Sequence, residues 1–236
     1  MIPRHRLPLL ATASCALAAQ AFALTELPAD HADLGIGFHD GSLELHWHIE
    51  DLELEYAPDE AYVFIPLSSA ITRPAGTEWD FTGAIAGATI YLAPAIDQTP
   101  SVIFLGIGSE EIFSETLVAN TVTFALTGIS GPGAFALWQT DGLGQPTAFL
   151  SSAFELSSFD LITGGHDHYN WGFTAEGIYE LTFTVSGILN DESDTSVSDT
   201  ATFTFAVGTP IPEPSAFAVF AGLAGLGLAI GARRRR

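Results

Sequence analysis

The chain has 236 residues, with 28 acidic side chains against 7 basic ones and a formal net charge of −21 at pH 7. Arg73 is the only lysine or arginine between positions 24 and 209, where 27 acids leave a formal charge of −26. A field of this sign repels phosphate backbones, which excludes nucleic-acid binding, and it attracts multivalent cations.

The first 23 residues have the pattern of a secretory signal peptide. Two arginines precede a mostly apolar stretch, Leu7–Ala19, and Ala21-Phe22-Ala23 fits a small-x-small cleavage site. We therefore expect signal peptidase to release a mature protein that begins near Leu24. Cys15, the only cysteine, lies inside this segment, so the exported body has to be stable without disulfides.

A β-hairpin with one apolar and one polar face is predicted at the start of the body. Asp40-Gly41 is a strong two-residue turn, and it pairs residues whose numbers sum to 81. The core face then collects Leu34, Ile36, Phe38, Leu43, Leu45, Trp47 and Ile49. The polar face collects His31, Asp33, Gly35, Gly37, Glu44, His46, His48 and Glu50, and its two glycines leave open space for an ion or another strand.

Histidines on this polar face indicate a candidate metal site. His46 and His48 stand at i and i+2, so a strand directs both imidazoles to the same side. Asp33 is expected to be the direct neighbour of His48, with His31 at the end of the same row. His39, beside the turn, is expected to be exposed.

The remainder of the body alternates apolar and polar residues with a period of two. Runs such as Tyr179–Val185 and Thr200–Phe205 are rich in Thr, Val and Phe, and Gly, Pro and Asp separate them. We predict an all-β surface domain over residues 24–208, an antiparallel immunoglobulin-like β-sandwich. Asn190–Asp199 is expected to be an exposed loop, and Pro94–Pro100 is either a loop or a seam between two units.

A second His-x-His pair, His166-Asp167-His168, directly follows Gly164-Gly165. Four imidazoles from the two pairs, or three and a carboxylate, would suit Zn²⁺, whose bonds to histidine nitrogen measure about 2.0–2.1 Å. Imidazole also suits Cu²⁺, Ni²⁺ and Mn²⁺, so the pattern leaves the identity of the divalent metal open. A solvated strand face that binds no metal is the alternative.

The C-terminal residues form a tail with three parts. A linker over 209–215 contains Pro212-Glu213-Pro214, and an uncharged apolar run of 17 residues follows over 216–232. As a helix this run would reach ~25 Å, close to the lower limit for one membrane crossing. We therefore predict a transmembrane helix with a basic tail over 216–236. The cytoplasmic end would be held by Arg233, Arg234, Arg235 and Arg236.

This tail closely resembles the PEP-CTERM sorting signal of Gram-negative bacteria. The Pro-Glu-Pro tripeptide, the apolar segment and the basic end stand in the order that this signal has. The resemblance implies processing by an exosortase, with the helix held transiently in the inner membrane. The processed protein would then reside at the cell surface or in an exopolysaccharide matrix. An ordinary tail anchor preceded by prolines is the alternative.

An ordered series of segments runs through the body: His31–Gly35, Leu45–His48, Tyr56–Ala61, Leu105–Glu111, Thr127–Gly133 and His166–Phe173. With this series the body, from His31 to Gly187, resembles the choice-of-anchor M domain. Members of that family are secreted bacterial surface proteins whose anchoring tails vary, and relatives tend to be encoded near transporters of the zinc and manganese class. The resemblance implies a metal-related role and no established activity.

Together these patterns favour a non-enzymatic surface or matrix protein with a histidine-based site for Zn²⁺ or another divalent metal. The body has no cysteine, no lysine, no nucleophile elbow and no phosphate-binding glycine loop. A carbohydrate-binding matrix module, a purely structural sandwich and, with less support, a metallohydrolase are the alternatives. The candidate ligands are His31, Asp33, His46, His48, His166 and His168.

Overall fold

The computed structural model describes Leu24–Pro212, which form sixteen β-strands and four short 3-10 helices. The 3-10 helices cover Glu50–Leu52, Leu67–Ser69, Thr77–Thr82 and Val118–Asn120. The strands are β1 (Thr25–Glu26), β2 (His31–His39), β3 (Ser42–Ile49), β4 (Leu54–Tyr56), β5 (Ala61–Ile65), β6 (Ala70–Thr72), β7 (Thr89–Ala93), β8 (Phe104–Gly108), β9 (Thr121–Ser130), β10 (Phe135–Thr140), β11 (Pro146–Ser151), β12 (Ser158–Ile162), β13 (His166–His168), β14 (Asn170–Phe173), β15 (Gly177–Ile188) and β16 (Ser196–Val207).

The strands form three sheets in a sandwich-like arrangement, which confirms the all-β prediction in its coarse form. A six-stranded sheet has the order β1-β5-β16-β15-β9-β12. A five-stranded sheet with the order β11-β10-β14-β7-β6 is called the tryptophan sheet, because it contains Trp138 and Trp171. The other five-stranded sheet, β13-β8-β2-β3-β4, is called the histidine sheet.

Apolar faces of all three sheets meet in one core. Trp47 of the histidine sheet packs edge-on against Phe203 of the six-stranded sheet, with ring centroids 4.7 Å apart. Trp171 of the tryptophan sheet stacks on Phe205, and its indole nitrogen donates a hydrogen bond to the Leu105 carbonyl of β8. Since these side chains share one buried cluster, the segment Pro94–Pro100, which we expected to be either a loop or a seam, is a loop that connects two sheets covering the same core.

The strand pairing departs from the purely antiparallel order that we predicted. Parallel pairs join β2 to β8, β5 to β16 and β1 to β5. The first of these matters for function, because β8 inserts between β2 and β13 and so brings the second histidine pair into the sheet of the first. The expected loop at 190–199 is also shorter than predicted, since β16 already begins at Ser196.

The predicted β2–β3 hairpin is confirmed residue by residue. Asp33 pairs with His48 and Leu34 with Trp47, and the residue numbers of every pair in the hairpin add up to the predicted 81. The turn residues Asp40 and Gly41 both have positive φ angles, 50° and 83°, as a type I′ turn requires. The hairpin register therefore directs the apolar face to the core and the histidine face outward.

Candidate metal centre

Two rows of residues cross the face of the histidine sheet that points away from the core. In the first row, strand pairing makes neighbours of His168, Gly106, Asp33 and His48. The second row has the same form and consists of His166, Gly108, Gly35 and His46. Because β8 contributes glycines to both rows, side chains from β13 and β2 meet above it.

Four side chains converge above β8. The Nε2 atom of His168 lies 3.1 Å from the Nε2 atoms of both His31 and His166. Asp33 places Oδ1 at 3.1 Å from His166 Nε2 and Oδ2 at 4.0 Å from His31 Nε2. One ligand atom from each side chain lies within 4.8 Å of the other three. We call this group the three-histidine site.

The separations in the three-histidine site suit a tetrahedral ion. Ligand atoms bound to Zn²⁺ at 2.0–2.1 Å stand about 3.3 Å apart in a tetrahedron. The shortest separations here measure 3.1 to 4.0 Å, with Asp33 using one oxygen toward His166 and the other toward His31, and one ligand atom from each side chain lies within 4.8 Å of the other three. Three imidazole nitrogens and one carboxylate oxygen also form a donor set that Zn²⁺ uses in proteins.

The Asp33 carboxylate is the strongest single indication of an ion. The residue is 1% exposed, and within residues 24–212 neither of its oxygens has an aligned hydrogen-bond partner. His166 Nε2 is near enough, at 3.1 Å, but the two atoms do not meet at a hydrogen-bonding angle. A buried carboxylate without partners costs several kcal/mol. A divalent cation between the carboxylate and the three imidazoles would offset this cost.

Local packing determines where the ligand side chains point. A Cβ atom at Gly106 would collide with Asp33 Oδ1 and His166 Nε2, so only glycine at this position lets the two side chains meet. The ring of Phe104 stacks on His168 with 3.4 Å between centroids and 4° between planes. Stacking limits rotation of the His168 imidazole, and its Nε2 atom stays directed at the other ligands.

The pKa values of two imidazoles in the site are shifted in opposite directions. The pKa of His166 is raised, chiefly by the Asp33 carboxylate beside it and against the opposing effect of burial. Burial lowers the pKa of His168 to about 4. Since metals bind neutral imidazole, His168 is ready for an ion over a wide pH range, whereas an ion displaces a proton from His166 in weakly acidic solution.

The two His-x-His pairs do not converge, which differs from the expected arrangement of four imidazoles. β8 and β2 separate β13 from β3, and three strand spacings amount to ~14 Å. His46 Nε2 lies 3.3 Å from Glu111 Oε1 instead, and His48 Nδ1 lies 4.0 Å from Glu50 Oε1. The hairpin therefore supplies the three-histidine site from β2, through His31 and Asp33, and not from β3.

Sequence patterns did not identify Glu110 and Glu111 as site residues. Adjacent carboxylates point to opposite faces of a strand, but these two lie in the turn after β8, where both reach the histidine face. Glu110 Oε1 comes within 3.7 Å of His166 Nδ1, and the two oxygens of Glu111 lie 3.3 Å from His46 and His39.

Gly106 and Gly108 were also missed, although the sequence contains a signal for them. The segment Leu105–Gly108 reads Leu-Gly-Ile-Gly and repeats the order of Leu34–Gly37. Each segment has its glycines on one strand face, and the two become parallel neighbours in the sheet. A repeated Leu-Gly-Ile-Gly run thus indicates two strands that share an open face.

The two targeting segments lie outside the described residues. These are the predicted signal peptide over 1–23 and the tail over 213–236, with Glu213, Pro214 and the four arginines from Arg233 to Arg236. Pro212 is the last residue described. Within residues 24–212, no helix has both the length and the apolar character that a membrane crossing requires.

No family model, curated protein or solved structure matches this chain. What the protein binds is therefore inferred from its own residues.

Proposed function

We propose that this chain is an exported cell-surface or exopolysaccharide-matrix protein that binds one divalent metal ion of the zinc type at the three-histidine site. The observation that carries the proposal is the convergence of three imidazole Nε2 atoms on a buried carboxylate whose oxygens lack hydrogen-bond partners. Without an ion, the charge of this carboxylate is compensated through the ion pair with His166, 3.1 Å away, and no described residue gives either oxygen an aligned hydrogen bond.

The ligand count supports binding without catalysis. A catalytic zinc keeps one coordination position open for water or substrate, whereas four protein ligands complete a tetrahedron. His31, Asp33, His166 and His168 provide these four ligands. The formal charge of −26 between positions 24 and 209 raises the local concentration of cations around the body. Capture or buffering of a metal outside the cell follows from these features.

The proposed export and surface location of the protein are inferred from the sequence patterns at its two ends. An N-terminal secretory pattern and a C-terminal tail like a PEP-CTERM signal imply processing by signal peptidase and by an exosortase. The body contains no cysteine, which is compatible with export, because one core built from three sheets stabilises it without disulfides. At the cell surface or in the matrix, exopolysaccharide would be the partner of this protein.

Zinc titration of residues 24–212 tests the metal proposal, since these residues contain the described core and all four ligands. Isothermal titration calorimetry is expected to show one tightly held Zn²⁺ per chain at the three-histidine site. The double variant His31→Ala, His168→Ala should abolish the tight binding, and the matched control His39→Ala should not, because His39 is exposed. A wild-type body that binds zinc no more tightly than about millimolar would end the proposal.

A further inference from the structure

The same face of the histidine sheet carries another group of metal-ligating side chains, centred on His46. This residue is 7% exposed, and its Nε2 atom has no hydrogen-bond partner among the described residues. Glu111 Oε1 is 3.3 Å away but does not form a hydrogen bond with it. A buried imidazole nitrogen beside a carboxylate, with no hydrogen bond between them, is an arrangement that a shared cation would satisfy.

We infer that His46, Glu55 and Glu111 form a second divalent-cation site, separate from the three-histidine site. One ligand atom from each of the three side chains lies within 4.8 Å of the other two. The group draws on β3, on the edge strand β4 and on the turn after β8, so it exists only in the folded sheet. This second site does not depend on the first, with which it shares no ligand.

Neighbouring residues orient the ligands of the second site. A Cβ atom at Gly35 would collide with the His46 imidazole, so the glycine provides the space in which this ring lies. His39 Nε2 is 3.3 Å from Glu111 Oε2, the oxygen that does not face His46. The contact with His39 holds the carboxylate with its other oxygen toward the site.

The donor set indicates the kind of ion and the affinity. One imidazole and two carboxylates suit Mn²⁺ as well as Zn²⁺, because carboxylate oxygen favours the harder ion. Glu55 is exposed, so water completes the coordination and the ion exchanges readily with solvent. The second site is therefore expected to bind more weakly than the three-histidine site, which has four protein ligands.

A small pocket lies between the two sites. It has a volume of about 70 Å³, and its wall includes Asp33, His48, Glu110 and Glu111. Asp33 belongs to the three-histidine site and Glu111 to the second site. Among the described residues, these two ligand groups share no member, so we expect this face to bind two ions.

The test counts ions on residues 24–212 by native mass spectrometry and measures their affinities by titration with Zn²⁺ and with Mn²⁺. The wild type is expected to bind two ions, one tightly and one weakly. The double variant Glu55→Gln, Glu111→Gln should weaken only the second ion, by at least about 10-fold. Gly35→Ala should have the same selective effect, because it displaces His46.

Two further variants make the result specific. Glu44→Gln is the matched control, because Glu44 is an exposed carboxylate of β3 that belongs to no ligand group. Asp33→Asn is the reciprocal change and should weaken only the tight ion. A single bound ion in the wild type, or an unchanged titration of Glu55→Gln, Glu111→Gln, overturns the second site and leaves the first intact. One ion weakened by both changes shows a single shared site and also overturns it.

Discussion

Replacing Asp33 by asparagine distinguishes a metal ligand from a structural carboxylate. The amide has nearly the same volume and no charge. In the metal-free body the buried carboxylate lowers stability, because no described residue gives it an aligned hydrogen bond and its ion pair with His166 offsets only part of the desolvation cost. We therefore expect metal-free Asp33→Asn to be at least as stable as the wild type in its free energy of unfolding.

In zinc the same exchange is expected to be costly. Loss of an anionic ligand should weaken binding at least about 100-fold, the upper end of the range for residues that only orient ligands. At a zinc concentration 1,000 times the wild-type Kd, binding stabilises the wild type by about 4.1 kcal/mol and the variant by about 1.4 kcal/mol. The difference of about 2.7 kcal/mol removes about 5–11 °C of the zinc-induced rise in Tm for a domain of this size.

Scanning calorimetry at pH 8, with and without Zn²⁺, measures both expectations. Asp167→Asn is the matched control, because Asp167 lies on the same strand as His166 and His168 and is exposed on its other face. Equal zinc-induced shifts of Tm in the wild type and in Asp33→Asn would refute the assignment of Asp33 as a ligand. A large loss of stability without zinc would show that the carboxylate has a structural role instead.

Three other predictions concern geometry, protonation and sorting. Gly106→Ala should weaken zinc binding by more than about 10-fold in calorimetric titration, because the added Cβ atom would collide with Asp33 and His166. Gly142→Ala is the control, since a Cβ atom there meets no neighbouring atom. Equal zinc affinities of the two variants would contradict the expected collision. In metal-free protein, NMR should show His166 titrating above its ordinary pKa and His168 only near pH 4, and ordinary values near 6.5 would count against the described contacts. The lowered pKa of His168 means that its contribution to folding stability is complete above pH 6.5 and is lost as the pH falls toward 4. The raised pKa of His166 has the opposite effect: its contribution is complete below pH 6.5 and is lost as the pH rises through the raised pKa. Deleting residues 212–236 should leave the protein freely secreted or periplasmic, and an unchanged distribution in cell fractionation would contradict the sorting hypothesis.

The hairpin could be predicted in detail because its information is local. Asp40-Gly41 specifies the turn, and one register alone places Leu34 and Trp47 on the same face. The all-β character followed from alternation in the same way. Parallel pairing was not predicted, because periodicity and turn chemistry act between near neighbours, and the repeated Leu-Gly-Ile-Gly run that relates β8 to β2 does not specify strand direction.

The membership of the metal centre depended on this long-range pairing. The spacing of His46 and His48 correctly placed both imidazoles on one strand face, yet it gave no information about which other strand would lie beside them. With β8 between β2 and β13, His166 and His168 meet Asp33 and His31 instead. His46 joined two glutamates whose positions a turn and an edge strand determine.

The sequence by itself determined the strands, the hairpin register and the set of histidines available as ligands, because period and turn chemistry act between near neighbours. Only the tertiary structure decided which of those histidines lie close enough to bind one ion together, since β-sheets join segments that are distant in the chain. The physical reason is the parallel pairing of β2 with β8, since the glycines of these two strands leave room above the sheet for Asp33 and the imidazoles.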